Sequence, residues 1–137
     1  HRFEIATIAA ARELRSTYCT AAHSRFLRDI CGDGASLEAL AEDPSGATLA
    51  DPDGAVYEFA TKVARDASNV TSEDVRRLRA VGLSDGDVAD VVFAVAARAF
   101  FTKVLDGLGA QLDAPTAKLF DPDLLASMVV GRPVADG

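Results

Sequence analysis

The sequence contains no tryptophan, only two cysteines and two histidines, and aromatic residues make up 7% of its 137 residues. It also lacks any run of about 18 uncharged apolar residues, so we expect no membrane-spanning helix. With two cysteines and no secretory signal at the visible start, the chain is expected in a reducing compartment, and we predict a cytoplasmic location. Excess positive charge is absent as well, because the formal net charge is −7. This balance argues against nucleic acid or an anionic membrane as a partner.

What the sequence does contain favours helices. Hydrophobic residues form 49% of the chain, and most of them are alanine, leucine and valine. No hairpin turn is flanked by alternating strands. We therefore predict one all-α domain, residues 1–137, with about six helices. Because His1 stands where an initiator methionine would and the next residues already have a helical pattern, we expect native N-terminal residues to be missing from this sequence.

Apolar residues at helical spacing, with capping residues before several of them, predict where the helices lie. The predicted segments are residues 2–15, 16–30, 36–42, 55–68, 72–82, 85–108 and 123–130. The first is apolar over much of its circumference and is expected to be buried, and the segment 85–108 is expected in the core or at a subunit interface. Residues 43–54 predict a long loop that is either a lid or an ordered surface excursion. The tail 131–137 is expected to fray.

One of the two cysteines, Cys19, lies four residues before one of the two histidines, His23. On a helix this spacing places both side chains on one face. Near the helix start, Cys19 would face unsatisfied backbone N–H groups and the helix dipole, which stabilise negative charge on sulfur. His23 can accept the thiol proton, so the pair is a candidate activated nucleophile. The alternative is that Cys19 is a small buried hydrophobe and the spacing has no chemical meaning.

A metal site is not expected from this sequence. Zinc normally takes at least three protein ligands, and the remaining histidine, His1, stands at the start of the chain. We predict no cofactor either.

Four residues, Glu4, Ser16, Cys19 and His23, resemble the Glu-x11-Cys-x2-Cys-x3-His signature of the alkylhydroperoxidase D and carboxymuconolactone decarboxylase family. Ser16 stands at the position of the first cysteine. Segments 70–75, 82–85 and 106–109 are similar to the peroxidase-related branch of that family, so the resemblance covers about residues 3–113. It implies an alkylhydroperoxidase D-like helical domain that forms homo-oligomers and reduces hydroperoxides.

In that family the second cysteine attacks the hydroperoxide, the histidine and glutamate relay a proton, and the first cysteine resolves the sulfenic acid as a disulfide. The resemblance therefore implies that Cys19 is the attacking thiolate, His23 its base and Glu4 the orienting or relay acid. Because Ser16 cannot form a disulfide, it also implies a single-cysteine enzyme that is recycled by an external thiol reductant. The physical alternative for Ser16 is a helix cap.

Two distances qualify these roles. Cys31 follows Cys19 by twelve residues, about 18 Å along a shared helix, which is too far for a disulfide, so we expect Cys31 to be a buried free thiol near a helix end. On a straight helix Glu4 would lie more than about 20 Å from Cys19, so the chain must reverse near Ser16. A tilted crossing or a neighbouring protomer must then close the remaining gap. Glu13 is the alternative acid.

Three further polar residues lie near the pair or on the long helix. Tyr18 adjoins Cys19, and its hydroxyl is able to donate a hydrogen bond to a bound peroxide, although such a tyrosine more often packs at an interface. Arg15 and Arg98 are able to hold a carboxylate substrate, but isolated arginines on helices are usually solvated or paired. No role is assigned to either.

Three functions remain open on the sequence alone. The first is the thiol-dependent hydroperoxide reductase. The second is proton-transfer chemistry of the lactone decarboxylase kind, in which His23 and an acid do the work. The third is a non-catalytic oligomeric scaffold whose site has decayed, which the serine at position 16 keeps open. The expected partners are a small-molecule hydroperoxide or lactone, an external thiol and further copies of the chain.

Overall fold

Eight α-helices and one 3-10 turn form the regular structure of residues 1–136, which the computed structural model describes. They are α1 (Arg2–Glu13), α2 (Thr17–Asp29), α3 (Gly34–Glu42), α4 (Asp53–Asp66), the 3-10 turn Ala67–Asn69, α5 (Ser72–Ala80), α6 (Asp85–Gly107), α7 (Ala114–Ala117) and α8 (Pro122–Met128). The all-α prediction is confirmed, and the seven predicted segments correspond to α1–α6 and α8, so the expected number of about six helices is too low. The segment that the sequence pattern misses is α7, which Asp113 caps and which has only four residues.

Helix α1 is the centre of the core and packs against α2, α4 and α6. Every residue from Ile5 to Ala11 is buried. This stretch contains four alanines, whose small side chains let the neighbouring helices approach closely. The prediction that the first helix is buried is therefore confirmed. The close packing of this helix also holds in place the residues next to its buried stretch.

Side-chain caps fix where the helices begin. The Ser16 hydroxyl caps α2, as the sequence pattern predicts. Thr71 with Asp74, and Ser84 with Asp87, form the reciprocal capping boxes of α5 and α6. Each box satisfies two backbone N–H groups that the first helical turn would otherwise leave without partners.

The chain reverses sharply between α1 and α2. Arg15 makes the turn with a φ of +59°, a left-handed conformation that is uncommon for a residue with a side chain. The Arg15 Nε donates to the carbonyl oxygen of Val130 at 3.2 Å, and the Gly131 backbone N–H donates to Thr17 Oγ1 at 3.1 Å. These two hydrogen bonds attach the C-terminal segment to the turn before α2 and to the first residue of α2.

The predicted fraying of residues 131–137 is therefore wrong for part of that tail. Gly131 is bonded to Thr17, and the Ala135 N–H donates to the Leu112 carbonyl at 2.8 Å. Gly137 lies outside the described residues. Backbone hydrogen bonds to the body of the domain order the tail, and its composition does not reveal them.

Glycine at position 131 is required by this contact, because a Cβ there would lie 1.8 Å from the Arg15 carbonyl oxygen. We expect Gly131→Ala to lower the free energy of unfolding by about 1–3 kcal/mol, the usual cost of forcing a group into occupied space. Urea unfolding followed by circular dichroism measures the change. Gly107→Ala is the matched control, because a Cβ there has no atom within 4 Å. Equal stability of Gly131→Ala and the wild type would contradict a close contact at this position.

The long loop before α4 is an ordered surface excursion, one of the two predicted alternatives. Gly46 has a φ of +78°, and a Cβ there would collide with the ring of Tyr57. The Tyr57 hydroxyl donates to the Pro44 carbonyl at 3.1 Å. These contacts pack the loop against α4.

Helix α6 has one buried side and one exposed apolar side. Val88, Val91 and Val95 belong to the core. Phe93 and Phe100 are 69% and 70% exposed, and other large apolar side chains of α6 are exposed with them, namely Val92, Phe101 and Val104. Within residues 1–136, no helix is long and apolar enough to cross a membrane.

Candidate functional site

Cys19 lies in the first turn of α2, three residues after the capping Ser16, and is 1% exposed. The Ser16 Oγ accepts a hydrogen bond from the Cys19 backbone N–H at 3.4 Å. Ser16 is itself fully buried. Its observed structural role is thus that of a helix cap, which also fixes the backbone under the thiol.

The thiol finds its side-chain partners on α6. Arg98 Nη1 donates to the Cys19 sulfur at 3.6 Å, and Thr102 Oγ1 donates to the same atom at 3.7 Å. Arg98 and Thr102 are one helical turn apart, so both reach the sulfur from the same face of α6. The sulfur therefore has a cation and a hydroxyl as its neighbours, together with the start of α2.

Helix α1 supplies the acid. Glu4 Oε2 lies 2.6 Å from Nδ1 of His23. The reversal after α1 brings these residues together within one chain, so the distance does not require a neighbouring protomer. Glu13, the alternative acid, instead forms a two-pronged hydrogen bond with Arg65, at 2.9 and 3.0 Å. Of the two carboxylates that the sequence offers, Glu4 is the one that reaches His23.

His23 is 8% exposed, and burial is the main reason why its pKa lies below the ordinary value of 6.5. The positive charge of Arg98 lowers this pKa further, whereas the hydrogen bond and charge of Glu4 oppose the shift. The rings of Phe3 and Phe26 stand edge-on to the imidazole, with centroids 6.2 and 5.6 Å away. This environment favours the neutral form of the imidazole. Because a carboxylate only accepts hydrogen bonds, Nδ1 carries the proton and Nε2 is the nitrogen that can accept one.

The thiol and the imidazole have separate partners. In the part of the chain that the structure describes, no hydrogen bond joins Cys19 to His23, although they are four residues apart on α2. The site therefore consists of two neighbouring units: Cys19 with Arg98 and Thr102, and His23 with Glu4.

The other predicted residues lie at its margins. Tyr18, next to Cys19, is half-buried. Cys31 is a free thiol just beyond the end of α2, as expected, but it is half-buried against the main core rather than buried. Both cysteines are free thiols. Cys19 and Cys31 lie at opposite ends of the helix, consistent with the expected separation.

Sequence reasoning gave Arg98 no role and expected it to be solvated or paired, whereas it is half-buried and contacts the thiol; Thr102 was not singled out. They lie 79 and 83 positions from Cys19, and local spacing gives no hint of such a contact. The available signal is that a charged residue and a hydroxyl lie one turn apart in the second half of the long apolar helix α6. Only the packing of α6 shows that both side chains face the thiol.

An open cavity of about 480 Å³ lies between the turn before α2 and the second half of α6, and Cys19 is not among its lining residues. Thr102, which contacts the sulfur, is one of its lining residues. Leu14 and Arg15, from the turn before α2, line it as well, and so does Lys103 of α6. Thr102 is thus the residue that connects this cavity with Cys19.

One group of possible metal ligands is found within residues 1–136, namely His1, Asp33 and Asp53. His1 Nε2 lies 2.7 Å from Asp33, whose carboxylate also caps α3 through the Ser36 N–H. Partial burial and, to a smaller extent, the nearby charge of Asp33 raise the pKa of Asp53. Hydrogen bonds within the protein thus already involve this group of side chains. The group includes neither Cys19 nor His23.

No family model and no curated protein matches the chain. A solved structure does match: the alkylhydroperoxidase AhpD core of an uncharacterised peroxidase-related protein from Ralstonia eutropha JMP134, with a TM-score of 0.73 over 96% of this chain. This chain has the AhpD-like helical fold. The two sequences are 20% identical, so the likeness establishes the fold, and the chain spans 65% of the length of that protein.

Three helices of the AhpD-like fold carry the candidate site. Helix α1 provides Glu4, α2 provides Cys19 and His23, and α6 provides Arg98 with its neighbouring threonine. Because α1 is buried between α2 and α6, the fold brings together side chains that are far apart in sequence.

Proposed function

We propose that this chain is a thiol-dependent hydroperoxide reductase with Cys19 as its single attacking thiol. The observation that carries the proposal is the environment of the sulfur, with the Arg98 guanidinium 3.6 Å away and the start of α2 beneath it. A cation and a helix N-terminus both stabilise negative charge on sulfur, and the thiolate is the nucleophilic form of cysteine. The AhpD-like fold supports this assignment, because the matching solved structure is peroxidase-related by its own description.

The reaction is a nucleophilic displacement at a peroxide oxygen. The Cys19 sulfur attacks one peroxide oxygen, so an S–O bond forms as the O–O bond breaks. Sulfur is oxidised to the sulfenic acid, and the hydroperoxide is reduced to an alcohol, or to water from hydrogen peroxide. His23 Nε2 takes the thiol proton, directly or through one water, and returns it to the departing oxygen. Glu4 holds Nδ1 and stabilises the imidazolium that exists between these steps.

Resetting the site requires a thiol from outside the chain. Ser16 offers no sulfur, and Cys31 lies at the other end of α2. An external thiol therefore condenses with the sulfenic acid, releasing water and forming a mixed disulfide. A second thiol then reduces this disulfide and restores Cys19.

We also propose that the chain forms homo-oligomers and acts in the cytoplasm. Several large apolar side chains, including Phe93 and Phe100, are exposed together on one side of α6, and a second copy would cover them. The two free cysteines fit a reducing compartment.

The test is to locate the sulfenic acid. After brief exposure to hydrogen peroxide and a sulfenic-acid trap, we expect mass spectrometry to find the adduct on Cys19 ahead of Cys31. Cys31→Ser should keep peroxide consumption with an external thiol, and Cys19→Ser should lose it. An adduct confined to Cys31 would reject the proposal, since exposure alone then governs reactivity.

A second candidate function is favoured by one observation: His23 and Glu4 form a proton-transfer pair without any hydrogen bond to Cys19. Such a pair suits the lactone decarboxylase kind of chemistry, with a lactone as the substrate. The same cysteine variant separates the two functions. Lactone turnover that survives in Cys19→Ser would favour this second function.

A further inference from the structure

Arg98 is a half-buried cation without a counterion. Among residues 1–136, no carboxylate lies within ion-pair distance of its guanidinium. Its Nε–H is buried and has no hydrogen-bond partner among the described side chains. The Cζ atom sits over the ring of Phe101, 5.7 Å from its centroid, which helps to hold the side chain in place.

This arrangement is unusual in a chain with 21 acidic residues. Burying a charged group and leaving one of its donors without a partner is unfavourable, so buried arginines are normally paired with a carboxylate. Here the polar neighbour is the Cys19 thiol, at 3.6 Å. The Arg98 charge is felt at His23 too, where it lowers the imidazole pKa. Arg98 thus lies within electrostatic reach of both units of the site.

We propose that Arg98 is a catalytic residue that stabilises the Cys19 thiolate and binds the peroxide oxygen that leaves. The role rests on the proposed reductase function. One N–H group of the guanidinium faces the sulfur, and within residues 1–136 no hydrogen bond occupies its other terminal N–H groups, which remain for an incoming oxygen. As the S–O bond forms and the O–O bond breaks, negative charge moves from sulfur to the departing oxygen. A fixed cation beside both atoms stabilises that charge throughout, until His23 delivers the proton.

The geometry also explains why the cation has no carboxylate partner. A carboxylate at Arg98 would occupy its donors and cancel its charge, leaving neither for the peroxide. The Thr102 hydroxyl, the second partner of the sulfur, is neutral and separates Cys19 from the adjoining cavity.

The test compares the second-order rate constant for Cys19 sulfenic acid formation by hydrogen peroxide in the wild type and in three variants. We expect Arg98→Gln to slow this step about 100-fold, within the range for the loss of one donor to a developing anion. Arg98→Lys, which keeps the charge but not the fork of donors, should fall in between. Arg25→Gln is the matched control, because Arg25 is an exposed arginine of α2 paired only with Asp29.

Two further measurements distinguish catalysis from a structural role. Guanidinium ion at low, non-denaturing concentration should raise the rate of Arg98→Ala, and sodium chloride at equal ionic strength should not. In the NMR titration of His23, loss of the Arg98 charge should raise the imidazole pKa. If the wild type forms the Cys19 sulfenic acid and Arg98→Gln and Arg98→Lys form it equally fast, the role of Arg98 is overturned while the reductase function stands. If the wild type forms none at Cys19, the reductase function is overturned, and the role of Arg98 with it.

Discussion

Replacing His23 with asparagine is expected to slow peroxide consumption by about 10²–10⁴-fold, the contribution of a positioned general base. Asparagine fills much of the same space and can still hydrogen-bond to Glu4, but it cannot carry a proton from thiol to leaving oxygen. The measurement is the rate constant for Cys19 oxidation in stopped-flow experiments at pH 7. Circular dichroism checks that the variant is folded. A wild-type rate in this variant would remove His23 from the mechanism.

The neighbours of His23 determine how the rate constant for Cys19 oxidation should change with pH. The folded pKa lies below 6.5, so the imidazole stays able to accept a proton until the pH falls below that lowered value, and the rate should decline only there. Glu4 raises the pKa of His23. In Glu4→Gln the acid limb of the pH profile should therefore move to lower pH. Movement to higher pH would show that Glu4 does not act on His23 as the structure indicates.

The candidate site could be predicted from the sequence only where its residues are close along the chain or belong to a recognisable motif. Cys19 and His23 share a helix, and the motif resemblance selects Glu4 in preference to Glu13. Their arrangement depends on features that no local pattern encodes. The reversal that brings Glu4 to His23 uses a left-handed Arg15, a conformation for which sequence rules favour glycine.

The partners of the thiol show the limit most clearly. The four-residue spacing predicts that Cys19 meets His23, and it is a valid rule for the helix surface. Burial changes the outcome, because the first turn of α2 packs in the interior and the sulfur turns toward α6. Which residues it meets there is set by how α6 crosses the core, and that crossing depends on the packing of the entire chain.

The fold was more predictable than the site because its signals are local. Capping hydroxyls at Ser16, Thr71 and Ser84 mark the helix starts to within a residue or so, and periodic apolar residues set their extent. The four residues of α7 are too few to show a period. The ordered tail escaped prediction because its contact at Gly131 depends on the carbonyl of a residue 116 positions earlier.

Replacing Ile8 with alanine is expected to lower the free energy of unfolding by about 2–5 kcal/mol, a large share of the roughly 5–15 kcal/mol that holds a domain of this size together. Ile8 is 1% exposed and belongs to the buried stretch of α1 that packs against α2, α4 and α6. The side chain leaves a cavity that three neighbouring helices cannot all move to fill. Urea unfolding measures the loss.

Two variants sharpen this expectation. Ile8→Val removes one methylene group and should cost only about 0.5–1.5 kcal/mol. Phe100→Ala removes a larger side chain, but Phe100 is 70% exposed on α6, so the stability of the isolated chain should change little. Its effect should instead show in light scattering as weaker association, if a second copy covers that side of α6. At concentrations where the chain is monomeric, Phe100→Ala should lower the free energy of unfolding much less than Ile8→Ala does. Equal losses would contradict the assignment of α1 as the centre of the core. Since Ile8 lies one turn beyond Glu4 on the same face, the packing that holds α1 in place also holds the acid against His23.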